Sequence, residues 1–155
     1  MKKIPSITVP IIDRSKTNNE NLFEYLKNKK VVIFGVPGAF TPTCSDQHLP
    51  GFIKLSEHIK NKGIDEIFCL SVNDRFVMQS WLLNYSEKHI IKGIADGNAE
   101  VTKFLKLLSD KSENFMGMRC LRFAMIVNNN VIEKLFIEEP GKLKLSSAEN
   151  ILSKL

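Results

Sequence analysis

One cysteine in this chain stands where a thiol can do chemistry. Cys44 closes the run Pro37-Gly38-Ala39-Phe40-Thr41-Pro42-Thr43-Cys44. The run follows a strand-like apolar stretch, Val31-Val32-Ile33-Phe34, and leads into a helical pattern. Thr41 is a good helix cap and Pro42 suits the first helical position, so Cys44 falls at about the third. Unpaired backbone N–H groups and the positive end of the helix dipole lie there, and both favour thiolate over thiol. The thiolate is the nucleophile. The spacing leaves a second reading open, in which Thr-Pro-Thr starts a helix and Cys44 merely fills space behind it.

The elements that must hold Cys44 follow from the hydrophobic pattern. Residues 30–36 form a continuous apolar run, as in a central strand buried on both faces. Residues 41–61 predict a long helix with a bend at Pro50-Gly51, stopped by Gly63. Residues 7–12 predict an extended lead-in, 20–27 a short helix, 64–72 and 90–95 two further strands, and 74–85 and 98–108 two further helices. Residues 122–127 and 131–137, joined by Asn128-Asn129-Asn130, predict a β-hairpin. Ser146-Ser147-Ala148-Glu149 is a capping-box pattern opening a final helix. Such alternation predicts an α/β fold with a central mixed β-sheet flanked by helices, and a thioredoxin-like sheet with N-terminal additions satisfies the order. No linker or repeat divides residues 1–155, which predicts a single domain. Fold alone does not decide function.

Composition narrows the classes. The chain is 43% hydrophobic and 25% charged, with a net charge of +5 spread over scattered lysines. No basic tract with interleaved aromatics argues for nucleic acid. No apolar stretch approaches the ~20 residues that span a bilayer, so no membrane is expected. The basic start Met1-Lys2-Lys3 is not followed by a signal-length apolar core, because Pro5 and Pro10 interrupt it. Three cysteines, Cys44, Cys69 and Cys120, are too few and odd in number for a secreted disulfide framework. A cytoplasmic protein with reduced thiols is the expectation.

Pro37-x-x-x-Thr41-x-x-Cys44 resembles the active-site signature of the peroxiredoxins. The longer run from Gly35 to Ser45, continued by His48-Leu49-Pro50-Gly51-Phe52, resembles the peroxiredoxin-5 type, including the plant and bacterial type II enzymes. Cys69-Leu70-Ser71-Val72-Asn73-Asp74, Ala95-Asp96-Gly97 and Arg122-Phe123-Ala124-Met125 match that type in the same order. The resemblance implies a thiol-dependent peroxidase acting on hydrogen peroxide and alkyl hydroperoxides. Cys44 would be the peroxidatic cysteine, oxidised to a sulfenic acid. Thr41 would bond the thiolate and the peroxide through its hydroxyl. Pro37 would shield the site, and Arg122 would stabilise the thiolate and polarise the peroxide. Arg119 is the competing arginine, and Arg122 is preferred because it directly precedes a strand. Asp46 opposes thiolate formation unless it points away. The resemblance implies no metal or other cofactor, and a homodimer.

The same resemblance bears on how the sulfenic acid is resolved. Some members carry a C-terminal cysteine where this chain reads Lys144-Leu145-Ser146-Ser147. Cys69 matches the second cysteine of plant-like and bacterial members, and is a candidate resolving thiol. It also lies in a buried-strand pattern, where a core cysteine is ordinary. An external thiol, either glutaredoxin with glutathione or thioredoxin, is the preferred reductant. Cys120 lies outside the family pattern. Three other readings fit the same residues: a peroxide sensor or redox relay, a Cys44–His48 pair for acyl transfer, and a zinc site from Cys44, His48 and Cys69. A thioredoxin-like oxidoreductase is disfavoured because no Cys-x-x-Cys pair is present.

Overall fold

A computed structural model describes residues 2–86 and 88–155. A seven-stranded mixed sheet runs through it in the order β2-β1-β5-β4-β3-β8-β9. The strands are β1 (Thr8–Asp13), β2 (Lys16–Asn21), β3 (Lys30–Gly35), β4 (Glu66–Ser71), β5 (Lys92–Ala95), β8 (Phe123–Asn128) and β9 (Val131–Ile137). β5, β4 and β3 are parallel at the centre, and β8 pairs antiparallel with β3. β6 (Leu108–Asp110) and β7 (Met118–Cys120) form a separate small sheet.

The central strands bury both faces, with successive side chains going to opposite layers. Val32, Phe34 and Val36 enter one core layer, with Cys44, Phe52 and Trp81 from the helices that cover it. Val31 and Ile33 enter the other, with Leu22, Val101 and Cys120. α2 (Leu49–Lys60), α3 (Arg75–Leu83) and α5 (Ala148–Ser153) supply the first layer, and α1 (Leu22–Tyr25) and α4 (Glu100–Phe104) the second. Among the described residues, no helix is long and apolar enough to cross a membrane.

Several expected elements differ. The helix expected over 20–27 is a four-residue turn, and residues before it form the edge strand β2. Lys-Thr-Asn-Asn-Glu-Asn carries no apolar alternation because that edge strand buries little; its hairpin partner β1 sets it in register. The helix expected over 98–108 is confined to α4, between Ala99 at φ 58° and Lys106 at φ 59°. Its end is sealed where the Leu107 N–H donates to the Thr102 carbonyl at 3.0 Å. Ser147, not Ser146, caps α5 by accepting from the Asn150 N–H. Ser146 has another task, described below.

Candidate active site

The loop after β3 carries the first part of the site. Val36 still donates to the Leu70 carbonyl at 3.0 Å, so the parallel ladder persists to the edge of Pro37. Pro37 has no N–H to continue it. The chain then turns through Phe40 at φ 64°. Asn73, on the β4 side, pins this turn by accepting from the Ala39 N–H at 2.9 Å and the Ser71 hydroxyl at 2.5 Å. The Thr41 hydroxyl donates to the Gly38 carbonyl at 2.6 Å. The expected hydroxyl bond to the Cys44 sulfur is therefore not made; one hydroxyl has one proton, and the turn holds it. The Thr41 oxygen still has lone pairs to accept with.

Cys44 begins a π-helical turn, Cys44–His48, that runs directly into α2. The Leu49 N–H reaches back five residues to the Cys44 carbonyl. The helix irregularity thus lies one turn before the bend expected at Pro50-Gly51. In that register the donor to the Ser45 carbonyl would be residue 50, and Pro50 has no N–H to give. The Tyr85 phenol takes that place, donating to the Ser45 carbonyl at 2.6 Å, and Trp81 Nε1 donates to the Ser45 hydroxyl at 2.9 Å. This turn directs Cys44 into the core layer, where it is 1% exposed. Asp46, one residue beyond Ser45, is exposed to solvent, whereas the Cys44 thiol is buried.

Arg122 arrives from the far end of the chain. The β3–β8 register pairs Gly35 with Phe123, so the residue before Phe123 meets the loop that follows β3. Arg122 Nη2 donates to Cys44 Sγ at 3.2 Å. Nη1 donates to His48 Nδ1 at 2.9 Å. An arginine is always a donor, so Nδ1 accepts, and the proton sits on Nε2, which donates to the Ser146 carbonyl at 2.8 Å. Burial and the facing guanidinium lower the His48 pKa from 6.5 to about 3, against the opposing pull of the Ser146 carbonyl and the Glu138 carboxylate. A neutral His48 with both nitrogens engaged is neither a base for Cys44 nor a zinc ligand. Phe34 stacks on Phe52 at 4.1 Å and tilts against the His48 ring at 4.9 Å, which fixes its plane.

Arg119 points elsewhere: its Nε donates to the Met116 carbonyl at 2.9 Å and its Nη1 to the Val72 carbonyl at 3.4 Å. Cys69 and Cys120 are fully buried. Burial pushes both thiols well up, with the neighbouring Cys44 adding to it. Cys69 shares the Cys44 core layer, whereas Cys120 lies in the opposite one and donates its S–H to the Val36 carbonyl at 3.0 Å. All three cysteines are unpaired. A cleft of about 460 Å³ opens over the site, lined by Pro37, Thr41, Thr43, Lys111, Arg122 and Glu138 among others. Among the described residues, no group of three or more His, Cys, Asp or Glu is placed to hold a metal. Glu138, Ser146 and Tyr85 carried no signal in the sequence, because each joins the site only through long-range folding.

The Redoxin family model matches residues 2–152. Peroxiredoxin-2D of Arabidopsis thaliana is 43% identical over 153 residues, covering 98% of this chain and 94% of that protein. The structure of reduced Prx3 from Vibrio vulnificus in complex with H2O2 superimposes with a TM-score of 0.91 at 41% identity, covering 99% of this chain and 92% of that one. That of the Plasmodium falciparum antioxidant protein, a 1-Cys peroxiredoxin, does so at 0.88 and 34%, covering 97% and 94%. The chain belongs to the Redoxin family, and within it to the peroxiredoxins, thiol-dependent peroxidases on a thioredoxin-like α/β fold.

Proposed function

We propose that Cys44 is the peroxidatic cysteine, reducing hydrogen peroxide and alkyl hydroperoxides with an external thiol as reductant. The observation that carries this reading is the 3.2 Å contact from the Arg122 guanidinium to Cys44 Sγ. A thiolate only 1% exposed loses most of its hydration and needs a fixed positive partner. Arg122 supplies one that cannot be deprotonated and forms no ion pair among the described residues.

The thiolate attacks the hydroxyl oxygen of ROOH. An S–O bond forms, the O–O bond breaks, Cys44 becomes a sulfenic acid, and RO⁻ leaves. The proton released when the thiol ionised is matched by the one RO⁻ takes up, giving water or an alcohol. The Arg122 donors stabilise the charge that builds on the oxygens, as do the backbone N–H groups of Thr43 and Cys44. Thr41 Oγ1, whose proton goes to Gly38, accepts the peroxide O–H. Pro37 forms a wall of the cleft.

An external thiol then attacks the sulfenic sulfur and releases water, and a second thiol breaks the mixed disulfide. Glutaredoxin with glutathione, or thioredoxin, would serve. Cys69 is the weaker candidate, because it is fully buried and its thiol is held protonated. One structural neighbour is described as a 1-Cys peroxiredoxin, which is in keeping with an external reductant. Residues 1–155 act as one domain. Exposed Phe40, Phe115 and Met118 beside the cleft suit a homodimer formed through the active-site loops. A reducing compartment such as the cytoplasm suits three unpaired thiols.

The test is peroxide turnover by the wild-type chain and Cys44→Ser, with glutathione, glutaredoxin and thioredoxin compared side by side. Cys44→Ser should be inactive with every donor. Substantial turnover by that variant would overturn the assignment.

A further inference from the structure

Among the described residues, Arg122 is the cation that contacts the sulfur, and a guanidinium on a flexible stem needs something to aim it. His48 Nδ1 holds one side of it at 2.9 Å. That nitrogen can accept only while the ring proton stays on Nε2, and the Ser146 carbonyl keeps it there at 2.8 Å. Ser146 is itself gripped by Glu138 at the end of β9. Glu138 Oε2 accepts from the Ser146 N–H at 2.9 Å, the Ser146 hydroxyl at 2.8 Å and the Lys144 N–H at 2.5 Å.

Glu138 is tied to Arg122 a second way, because its own N–H donates to the Arg122 carbonyl at 2.9 Å. One buried carboxylate oxygen thus collects three donors from the segment before α5. The desolvation of a buried carboxylate must be offset by strong bonds. The offset is complete here: burial pushes the Glu138 carboxyl up, yet the bonds from Ser146, Lys144 and Leu145 bring it below its ordinary range. The carboxylate balances the guanidinium charge across His48 without contacting it. A direct ion pair would compete for the donors that Cys44 and the peroxide need.

We propose that Glu138 is a positioning residue for peroxide reduction, fixing the Arg122 guanidinium against Cys44 through Ser146 and His48. It touches neither thiol nor peroxide. The inference rests on the reading of Cys44 as the peroxidatic cysteine and Arg122 as its partner. It also makes the segment before α5 part of the active site, although that segment carries no cysteine and no reacting group.

The experiment measures the rate constant for oxidation of the reduced protein by hydrogen peroxide, separately from the rate of re-reduction by thiol. Variants are Glu138→Ala, Glu138→Gln, Ser146→Ala and Arg122→Ala, plus Glu138→Ala combined with Arg122→Ala. Melting is followed for each, and rates are taken well below the lowest midpoint. Misplacing a catalytic donor by an ångström costs up to roughly a hundredfold. Glu138→Ala should slow the peroxide step by roughly ten- to a hundredfold and leave re-reduction within about twofold. Glu138→Gln, which keeps an acceptor oxygen, should recover part of the loss. In the Arg122→Ala background, Glu138→Ala should cost nothing further, since its effect passes through the missing guanidinium. An unchanged peroxide rate in Glu138→Ala, or an additive loss in the double variant, overturns the proposal. Activity persisting in Cys44→Ser would instead sink the underlying reading.

Discussion

Acid should destabilise this protein through His48 specifically, by an amount the site's geometry sets. In the folded chain the ring accepts from Arg122 on one nitrogen and donates to Ser146 on the other. Burial disfavours a charged ring, and protonation would also turn the accepting nitrogen into a donor facing a guanidinium, so the folded pKa lies at about 3 rather than 6.5. Between these values the unfolded chain binds a proton that the folded chain refuses. Stability therefore rises with pH across that window and is lost as pH falls from 6.5 towards 3. At ~1.4 kcal/mol per pH unit, the loss is about 3.5 kcal/mol by pH 4 and approaches about 5 kcal/mol only below pH 3. That is a large share of the 5–15 kcal/mol typical of a domain. Urea unfolding of the wild type and His48→Asn at pH 7, 6, 5 and 4 isolates the term, because the carboxylates contribute alike to both. The wild type should lose about 3.5 kcal/mol more than the variant over that range. Parallel pH profiles, or a His48 ring resonance titrating near 6.5 in the folded protein, would refute the reasoning.

Other outcomes follow from the same geometry. Arg122→Lys keeps the charge but loses the fork that serves Cys44 and His48 together; its peroxide rate constant should fall at least about tenfold, and a rate equal to wild type would remove the need for a forked donor. Cys69→Ser should turn over normally with glutaredoxin or thioredoxin, while full loss of turnover in a folded variant would make Cys69 the resolving thiol. Gly35→Ala would put its Cβ into the Phe123 ring, which faces it across the β3–β8 pairing. Overpacking there should cost about 1–3 kcal/mol by denaturant unfolding. It should also slow peroxide reduction, because Phe123 adjoins Arg122.

Legibility in the sequence tracked burial. β3, β4 and β8 were readable because strands in the middle of a sheet need apolar residues on both faces, and the edge strand β9 through the Asn128-Asn129-Asn130 turn that joins it to β8. β2 was not, since a polar edge strand is defined by its partner rather than by its own pattern. The short β6–β7 ribbon and the truncated α4 were missed for a related reason: left-handed Ala99, Lys106 and Phe115 set their limits, and none of these types announces that conformation. In the site, Pro37, Thr41 and Cys44 lie within eight residues, so local motif and helix position could find them together. The Thr41 hydroxyl donates to the Gly38 carbonyl, a partner that the tight turn supplies and the motif does not reveal.

By itself, then, the sequence determined a thiol at the head of a helix, the strand that delivers it, and a short set of candidate arginines. The sequence prefers Arg122 to Arg119, and the tertiary structure supplies the contact. It does so by the pairing of β8 with β3, a contact between strands almost ninety residues apart that brings one arginine to the sulfur and leaves the other on backbone carbonyls. It also decided that His48 is a neutral brace rather than a base, and that Glu138 and Ser146 stand behind it. Those roles depend on which donors meet which acceptors once water is excluded, and only the folded chain specifies that.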